Sequence, residues 1–257
     1  MLRELIRSHG FVSIPLLRES LKVSESTIRR DLDWMEENGE VKRTHGGVFS
    51  TGPSASLRLF EGRRASQWDK KLQVASAASR LIEDHDTVLL DGGSTTYELA
   101  RRLVGRPLQV VTNSLPVAYL FAASDSADLI LLGGYVHSRT GVTLGPYTDQ
   151  MLASLNVQKA VLSIAGADER GFYNSNLLLV ETERAMMRIA DQTIVVADSS
   201  KFGRSSLAKL CSLSEIQTAV VDDGLDSSWR DRLKQSKVEL VIAEKLAPSE
   251  EEQTRAV

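Results

Sequence analysis

Short apolar runs recur along residues 87–242, and they constrain the fold more than any other feature of the chain. They are Thr87–Leu90, Leu108–Val111, Asp128–Leu132, Lys159–Ile164, Thr193–Ala197, Ala219–Val221 and Val238–Ile242. Helix-like stretches separate them: Thr96–Leu103, Pro116–Ala122, Leu178–Ala190 and Ser228–Gln235. Continuous Val/Ile/Leu strands joined by helices predict a mostly parallel sheet covered on both faces. The expectation is a Rossmann-like α/β domain over residues 72–247, followed by a polar tail at 248–257.

The first fifty residues follow a different rhythm. Leu2, Leu5 and Ile6 share one helical face, and Gly10 is a natural stop. Ser13 can cap a second helix with Pro15 in its first turn and Leu16, Leu17 and Leu21 as the apolar face. Ser24 caps a third, in which Ile28, Leu32 and Met35 fall at i, i+4 and i+7. Asn38-Gly39 ends it, and two short strands follow around His45-Gly46-Gly47. Short helices, a tight turn, a third helix and a hairpin make the winged helix-turn-helix pattern. The turn-rich stretch Thr51–Ser56 closes this unit at about residue 52, and residues 53–71 read as a basic linker.

Charge sharpens the division. The chain carries a formal net charge of −3, but residues 1–71 hold 13 Lys/Arg against 10 Asp/Glu. Within them, residues 42–71 hold seven basic side chains and two acidic ones. A basic segment on an otherwise acidic chain points to a local anionic partner. With Ile28, Leu32 and Met35 turned inward, Ser26, Thr27 and Arg30 face outward near the start of the third helix. That is the end a recognition helix presents to the major groove, where Arg reads guanine and hydroxyls meet phosphates or bases. Ser24 and Arg29 flank these positions. Lys42, Arg43 and His45 would straddle a phosphate backbone from the wing, with Gly46-Gly47 allowing close approach.

The predicted strands end in polar or glycine-rich turns. Asp91-Gly92-Gly93-Ser94-Thr95-Thr96 follows one strand and opens a helix, where backbone amides and hydroxyls favour an anion such as phosphate. Thr112-Asn113-Ser114, Gly133-Gly134 and Asp198–Gly203 end others, and the last supplies Lys201 and Phe202. Ligands of open parallel sheets sit beyond the carboxyl ends of strands, so these turns would line one pocket.

Two motifs carry a family resemblance. Thr27-Ile28-Arg29-Arg30-Asp31-Leu32 and Arg43-Thr44-His45-Gly46-Gly47, in this order and spacing, resemble the DNA-binding domain of the DeoR family. These are bacterial transcriptional regulators, usually repressors of sugar and nucleoside catabolism. Asp91–Thr96, Thr112–Pro116, Leu132–Gly134, Gly145-Pro146, Gly166, Glu181 with Arg184-Ala185-Met186, and Asp198–Gly203 resemble its effector domain. That domain is related in fold to ribose-5-phosphate isomerase. The resemblance implies that Gly93, Ser94, Thr95 and Thr96 hold a phosphate, with Asn113 and Lys201 closing around it. Asp91, Glu181 and Asp198 would accept hydrogen bonds from sugar hydroxyls. Phe172–Asn176 departs from the commoner family pattern, which implies a different effector.

The resulting expectation is a cytoplasmic regulator, dimeric or tetrameric, that binds double-stranded operator DNA under the control of a phosphorylated sugar. Pairing follows from helix-turn-helix logic, since one short helix reads too few bases. The competing reading is a sugar-phosphate isomerase with an accessory DNA-binding domain, for which Asp91, Glu181, Asp198 and Lys201 are suitable residue types. The Lys-Gly-Gly-Gly signature of that isomerase is absent. So are the Gly-x-x-x-x-Gly-Lys-Ser/Thr phosphate loop, the Gly-x-Gly-x-x-Gly fingerprint and the Gly-x-Ser-x-Gly elbow. His9, His45, His85 and His137 lie too far apart for metal-ligand spacing, and the single cysteine, Cys211, has no partner. No cofactor or metal is expected. The interleaved charge of Met1–Arg7 is unlike a secretory signal, and no apolar run is long enough for a membrane helix.

Overall fold

In a computed structural model, residues 2–9, 11–38, 40–44, 47–50 and 63–246 are described. The chain divides into two compact units, Met1–Gly62 and Arg63–Val257. His45, Gly46, the Thr51–Ser56 break and the tail at 248–257 lie outside the described residues.

The first unit holds helices α1 (Leu2–His9), α2 (Ile14–Leu21) and α3 (Glu25–Glu37) with strands β1 (Phe11–Ser13), β2 (Val41–Thr44) and β3 (Gly47–Ser50). Both expected caps are in place: the Ser13 hydroxyl accepts from the Leu16 amide and the Ser24 hydroxyl from the Thr27 amide. Ile28, Leu32 and Met35 turn inward and meet Ile6, Val12, Leu17, Val41 and Val48 in one core. One reading of α2 needs correction. Leu16 is exposed, because the packed face runs through Ile14, Leu17 and Leu21 at helical spacing. The sheet has the order β1-β3-β2, so the wing carries a third strand that the sequence reading lacked. Three residues are too few for a periodic signal.

The second unit is built on a seven-stranded sheet in which every pairing is parallel. Its strands are β4 (Thr87–Leu90), β5 (Gln109–Thr112), β6 (Asp128–Leu131), β9 (Val157–Ser163), β12 (Ala190–Ala197), β14 (Thr218–Asp222) and β15 (Glu239–Ala243). All seven expected strands are present, displaced by at most three residues at an end. Their order is β15-β14-β12-β9-β4-β5-β6. Consecutive strands move outward from β4 in one direction through β5 and β6, and in the other from β9 to β15. The switch point therefore lies between β4 and β9.

Alternate residues of each strand enter different cores. Val88, Leu90, Val110 and Val161 pack with α4 (Trp68–Ser79), α5 (Ser94–Leu103) and α6 (Leu115–Ala122). Leu89, Val111, Ala160 and Leu162 pack with α7 (Pro146–Leu152), α8 (Leu177–Arg188) and α9 (Ser227–Gln235). Burial on both faces is why the strands read as unbroken apolar runs. Helix α7 was not anticipated. Nor were the hairpin β7 (Tyr135–His137) and β8 (Val142–Leu144), or the small antiparallel sheet of β10 (Gly166–Asp168), β11 (Gly171–Asn174) and β13 (Ala208–Cys211).

The expected linker also differs in its second half. From Arg63 onward the chain belongs to the second unit, and Lys71 is buried in the first turns of α4. The physical reason is periodicity: Lys71 shares a helical face with Val74, Ala75 and Ala78, all of which are buried.

Candidate functional site

In the first unit, α3 and the wing carry the residues expected to meet DNA. Ser24 caps α3, and its hydroxyl lies 2.9 Å from the Ser26 hydroxyl and 2.8 Å from that of Thr27. Ser26 is exposed, whereas Thr27 is half-buried. Arg29 is held by Glu25 one turn earlier, at 2.6 Å. Arg30 projects into solvent with no carboxylate partner among the described residues. Arg43 is tied down, with its guanidinium on Asp33 and its backbone amide 2.9 Å from Glu36 Oε1, which staples β2 to α3. Lys42 lies on β2 opposite Phe49.

In the second unit, a cavity of about 230 Å³ opens at the switch point between β4 and β9. Ligand sites of open α/β sheets occupy this position because neighbouring loops there diverge to opposite sides of the sheet. The loop after β4 supplies Asp91, Gly92, Gly93, Ser94 and Thr95, and the end of β9 supplies Ser163. Asn174, Ser175, Leu179 and Glu183 enter from β11 and α8, Thr140 and Val142 from the β7–β8 hairpin. Arg63, Ser66 and Lys71 come from the segment that opens the unit, and Lys201 from the turn after β12.

The two glycines are demanded by space. A Cβ on Gly92 would lie 2.0 Å from Val142 Cγ1, and one on Gly93 only 1.6 Å from Ser163 Oγ. Gly93 is also the N-cap of α5 and offers no capping side chain, which leaves first-turn amides for an outside acceptor. Asp91 is braced: it accepts from the Ser163 amide at 2.8 Å, the Ser163 hydroxyl at 2.9 Å and the Gly93 amide at 3.0 Å. Burial nonetheless raises its pKa above the ordinary aspartate value, against those hydrogen bonds. Glu183 receives the Asn174 side-chain amide at 2.7 and 2.8 Å. Burial, reinforced by the negative charge of Asp91, holds its pKa well above the usual glutamate range.

The cations are equally confined. Lys71 is only 3% exposed and donates to the carbonyls of Arg63 and Ser66, the latter at 2.6 Å. Burial pushes its pKa down to about 8, opposed by the attraction of Asp198. Burial also lowers that of Arg63, with Asp91 acting the other way. Lys201 Nζ lies 3.7 Å from Asp198 Oδ2. A cavity combining three cations, unsatisfied helix amides and buried carboxyls suits a ligand that is anionic at one point and hydroxylated elsewhere.

Of the residues expected here, Asp91, Gly92, Gly93, Ser94, Thr95 and Lys201 come together. Thr96 is wholly buried beneath the first turn of α5. Thr112 donates to the Leu90 carbonyl at 2.7 Å, Asn113 to the Thr143 carbonyl at 2.9 Å, and Ser114 caps α6. That turn belongs to β5, one strand away from the switch point, and it braces the sheet instead of lining the cavity. Gly166 faces the Arg204 carbonyl, where a Cβ would stand 2.4 Å away. Asp198 caps a short turn through the Ser200 amide, and Phe202 packs edge-on against Trp229 at 5.4 Å. Glu181 corrects differently: it is exposed and paired with Arg184 at 3.1 Å. Two residues along a helix is a rotation of about 200°, so Glu183 faces the cavity and Glu181 does not.

Glu183 and Lys71 left a trace that sequence reasoning missed. Each is a charged residue on the apolar stripe of its helix, Glu183 with Val180 and Met186, Lys71 with Val74 and Ala78. Ser163 left none, and Asn174 lies in Phe172–Asn176, the segment that departs from the commoner family pattern. Among the described residues no three His, Cys, Asp or Glu side chains are placed to hold a metal ion. Burial pushes the Cys211 thiol up to about 12.

Comparison with known proteins identifies both units. Residues 1–53 match the DeoR-like helix-turn-helix domain and residues 66–223 the DeoR C terminal sensor domain. The chain belongs to the DeoR family. It is 32% identical to the HTH-type transcriptional regulator IolR of Bacillus subtilis, over 94% of this chain and 97% of that one. It is also 32% identical to the glycerol-3-phosphate regulon repressor of Escherichia coli, over 85% of this chain and 87% of that one. A ribose 5-phosphate isomerase A from Methanocaldococcus jannaschii aligns over 51% of this chain and 53% of that one at 18% identity, with a TM-score of 0.39. As a DeoR-family protein the chain is a transcriptional regulator and not an enzyme. Every cavity-lining residue except Arg63 falls within the sensor-domain match. Among the described residues, no helix is long and apolar enough to cross a membrane.

Proposed function

We propose that this DeoR-family regulator is a cytoplasmic repressor of carbohydrate catabolism genes, acting as a homo-oligomer, whose operator binding is controlled by a phosphorylated sugar. The observation that carries the reading is the switch-point cavity, where Arg63, Lys71 and Lys201 share one small space with the start of α5 and the carboxyls of Asp91 and Glu183. The phosphate would sit on Gly93, Ser94 and Thr95, and the carboxyls and Asn174 would bind sugar hydroxyls. The name of the Escherichia coli relative, which refers to glycerol-3-phosphate, supports a phosphorylated polyol.

On DNA, Arg30 and Ser26 would read bases from α3. Ser24, Thr27, Arg29, Lys42, Arg43 and His45 would meet the backbone around them. Control works by linkage: a ligand preferring the conformation with poor DNA geometry weakens DNA binding by the same coupling free energy. The cavity is partly walled by Arg63, Ser66 and Lys71, the first residues after the DNA-binding unit ends. A phosphate drawing on Lys71 competes with the carbonyls that it now holds, so occupancy is felt first in the segment that opens the second unit.

Fluorescence anisotropy on the DNA upstream of the chain's own operon, against a scrambled duplex at fixed salt, tests this directly. Sugar phosphates and the matching free sugars are then titrated in. A selective shift by one phosphate ester is expected. Tight specific binding that no phosphate ester alters would sink the sensor reading, and equal binding to both duplexes would sink the operator reading.

A further inference from the structure

Charge is divided unequally within the switch-point cavity. Arg63, Lys71 and Lys201 come from the segment that opens the unit and from the turn after β12. Each has a carboxylate in its field: Asp91 for Arg63, and Asp198 for Lys71 and Lys201. Glu183 on α8 and Asn174 on β11 are differently placed. Glu183 is 1% exposed and makes no ion pair among the described residues, and the charge that bears on it is that of Asp91. A buried carboxyl without a cation keeps its proton unless hydrogen bonds stabilise the anion. Asp91 has such bonds, from the Ser163 amide, the Ser163 hydroxyl and the Gly93 amide. Glu183 has a single donor, the Asn174 side-chain nitrogen, which meets both of its oxygens. Neighbouring carboxyls in unlike environments divide the roles, so Asp91 carries the charge and Glu183 the proton.

Asn174 is fixed in one orientation. Its side-chain nitrogen also lies 3.1 Å from the Ser163 carbonyl, and turning the amide over would set two oxygens against each other there. Both hydrogens of that nitrogen are thereby used, and Oδ1 is left without a partner among the described residues. The wall beside the pair is apolar. Leu179 lies one turn before Glu183 on the same face of α8, and Ile164 and Ala165 follow Ser163.

We infer that Glu183 and Asn174 form a donor–acceptor pair that reads the end of the ligand remote from its phosphate, and that this end is an alcohol and not a second acid. The inference rests on the sugar-phosphate reading of the cavity. It narrows the ligand to monophosphate esters of sugars or polyols that carry no other acid group. The protonated Glu183 donates to a ligand oxygen, and Asn174 Oδ1 accepts from a ligand hydroxyl. One alcohol group both donates and accepts, so it satisfies the two together. A carboxylate or second phosphate in the same place would accept from Glu183 but offer Asn174 nothing. It would also meet the negative charge of Asp91 and lie against an apolar wall, and a buried charge without a counter-ion is costly.

Calorimetry on the full chain tests this with matched pairs that differ only in the far group. They are glycerol 3-phosphate against 3-phosphoglycerate, ribitol 5-phosphate against 5-phosphoribonate, and glucitol 6-phosphate against 6-phosphogluconate. In whichever pair binds, the alcohol should bind roughly tenfold or more tightly than the acid. An acid that binds as well as its alcohol overturns the inference and leaves the sugar-phosphate reading standing. If no ester binds, that reading falls and the inference with it. Variants then separate reading the ligand from holding the fold. Glu183→Ala should weaken the alcohol ester roughly tenfold, and Glu183→Gln should restore it, because a side-chain amide accepts from Asn174 and still donates to the ligand. A folded Glu183→Gln that binds no better than Glu183→Ala overturns the assignment of the proton. Should Glu183→Ala fail to fold by circular dichroism, Leu179→Lys carries the test, at a half-buried position of the cavity wall. Its ammonium supplies the missing counter-ion, so the acid should bind at least as tightly as the alcohol. A folded Leu179→Lys chain that prefers the alcohol as strongly as the wild type overturns the inference.

Discussion

Arg30 and Lys71 are both proposed to answer to phosphate, yet the protein treats them in opposite ways. Arg30 stands in water on α3, without an ion-pair partner among the described residues. Lys71 is buried, fixed on two carbonyls and pushed down to about pKa 8. An exposed cation acts through a screened, salt-dependent field and costs nothing to keep charged. A buried one is already desolvated and oriented, so it binds one anion strongly and becomes sensitive to pH. On the proposed reading Arg30 would meet DNA with mobile charge, and Lys71 would meet the ligand of the sensor domain with fixed charge.

The sharpest way to break this contrast is Gly93→Ala. Its Cβ would collide with Ser163 Oγ, and overpacking of this kind costs about 1–3 kcal/mol. Affinity for the phosphate ester should fall at least a hundredfold by calorimetry, while operator binding without ligand persists. If the ligand still binds normally, the fixed-site picture fails.

Lys71→Met comes next, with roughly a ten- to hundredfold loss of ligand affinity expected from one charge-assisted contact. Its pH signature sharpens the test. Between about pH 8 and the ordinary lysine value, the unfolded chain keeps a proton that the folded chain releases. Stability therefore rises with pH across that window, while affinity for an anion falls. Both slopes should flatten in the variant, as read from melting temperatures and calorimetry.

Arg30→Ala should cost about 1–3 kcal/mol at one base step and leave binding to other sequences nearly intact. Arg43→Ala should cost less, because that guanidinium is already held by Asp33. Anisotropy on operator variants separates the two. Ser24→Ala should lower the unfolding free energy of the first unit by about 1 kcal/mol, since the cap on the Thr27 amide is lost.

Glu183→Gln is the mildest change, because burial already favours the neutral carboxyl. Its folded pKa is raised, so the unfolded chain loses the proton first and stability falls as pH climbs above the ordinary glutamate value. That fall should vanish in the variant, with ligand affinity kept within a few-fold. An unchanged pH dependence of the melting temperature would mean that Glu183 is ionised in the fold.

Taken alone, the sequence determined whatever depends on neighbours in the chain. The caps at Ser13 and Ser24, the inward face Ile28–Leu32–Met35 and the parallel strands were legible because helix and strand periods are local properties. The loop Asp91–Thr95 was legible because one turn carries all of its chemistry. Tertiary structure decided which other groups meet that loop. Ser163 bonds to Asp91 from 72 residues away, and Asn174 reaches Glu183 across nine. The switch point between β4 and β9 selects them, and strand order is fixed by how the layers pack. For the same reason the turn after β5 became a brace, and Glu181 yielded its expected place to Glu183 by a rotation of the helix that carries both.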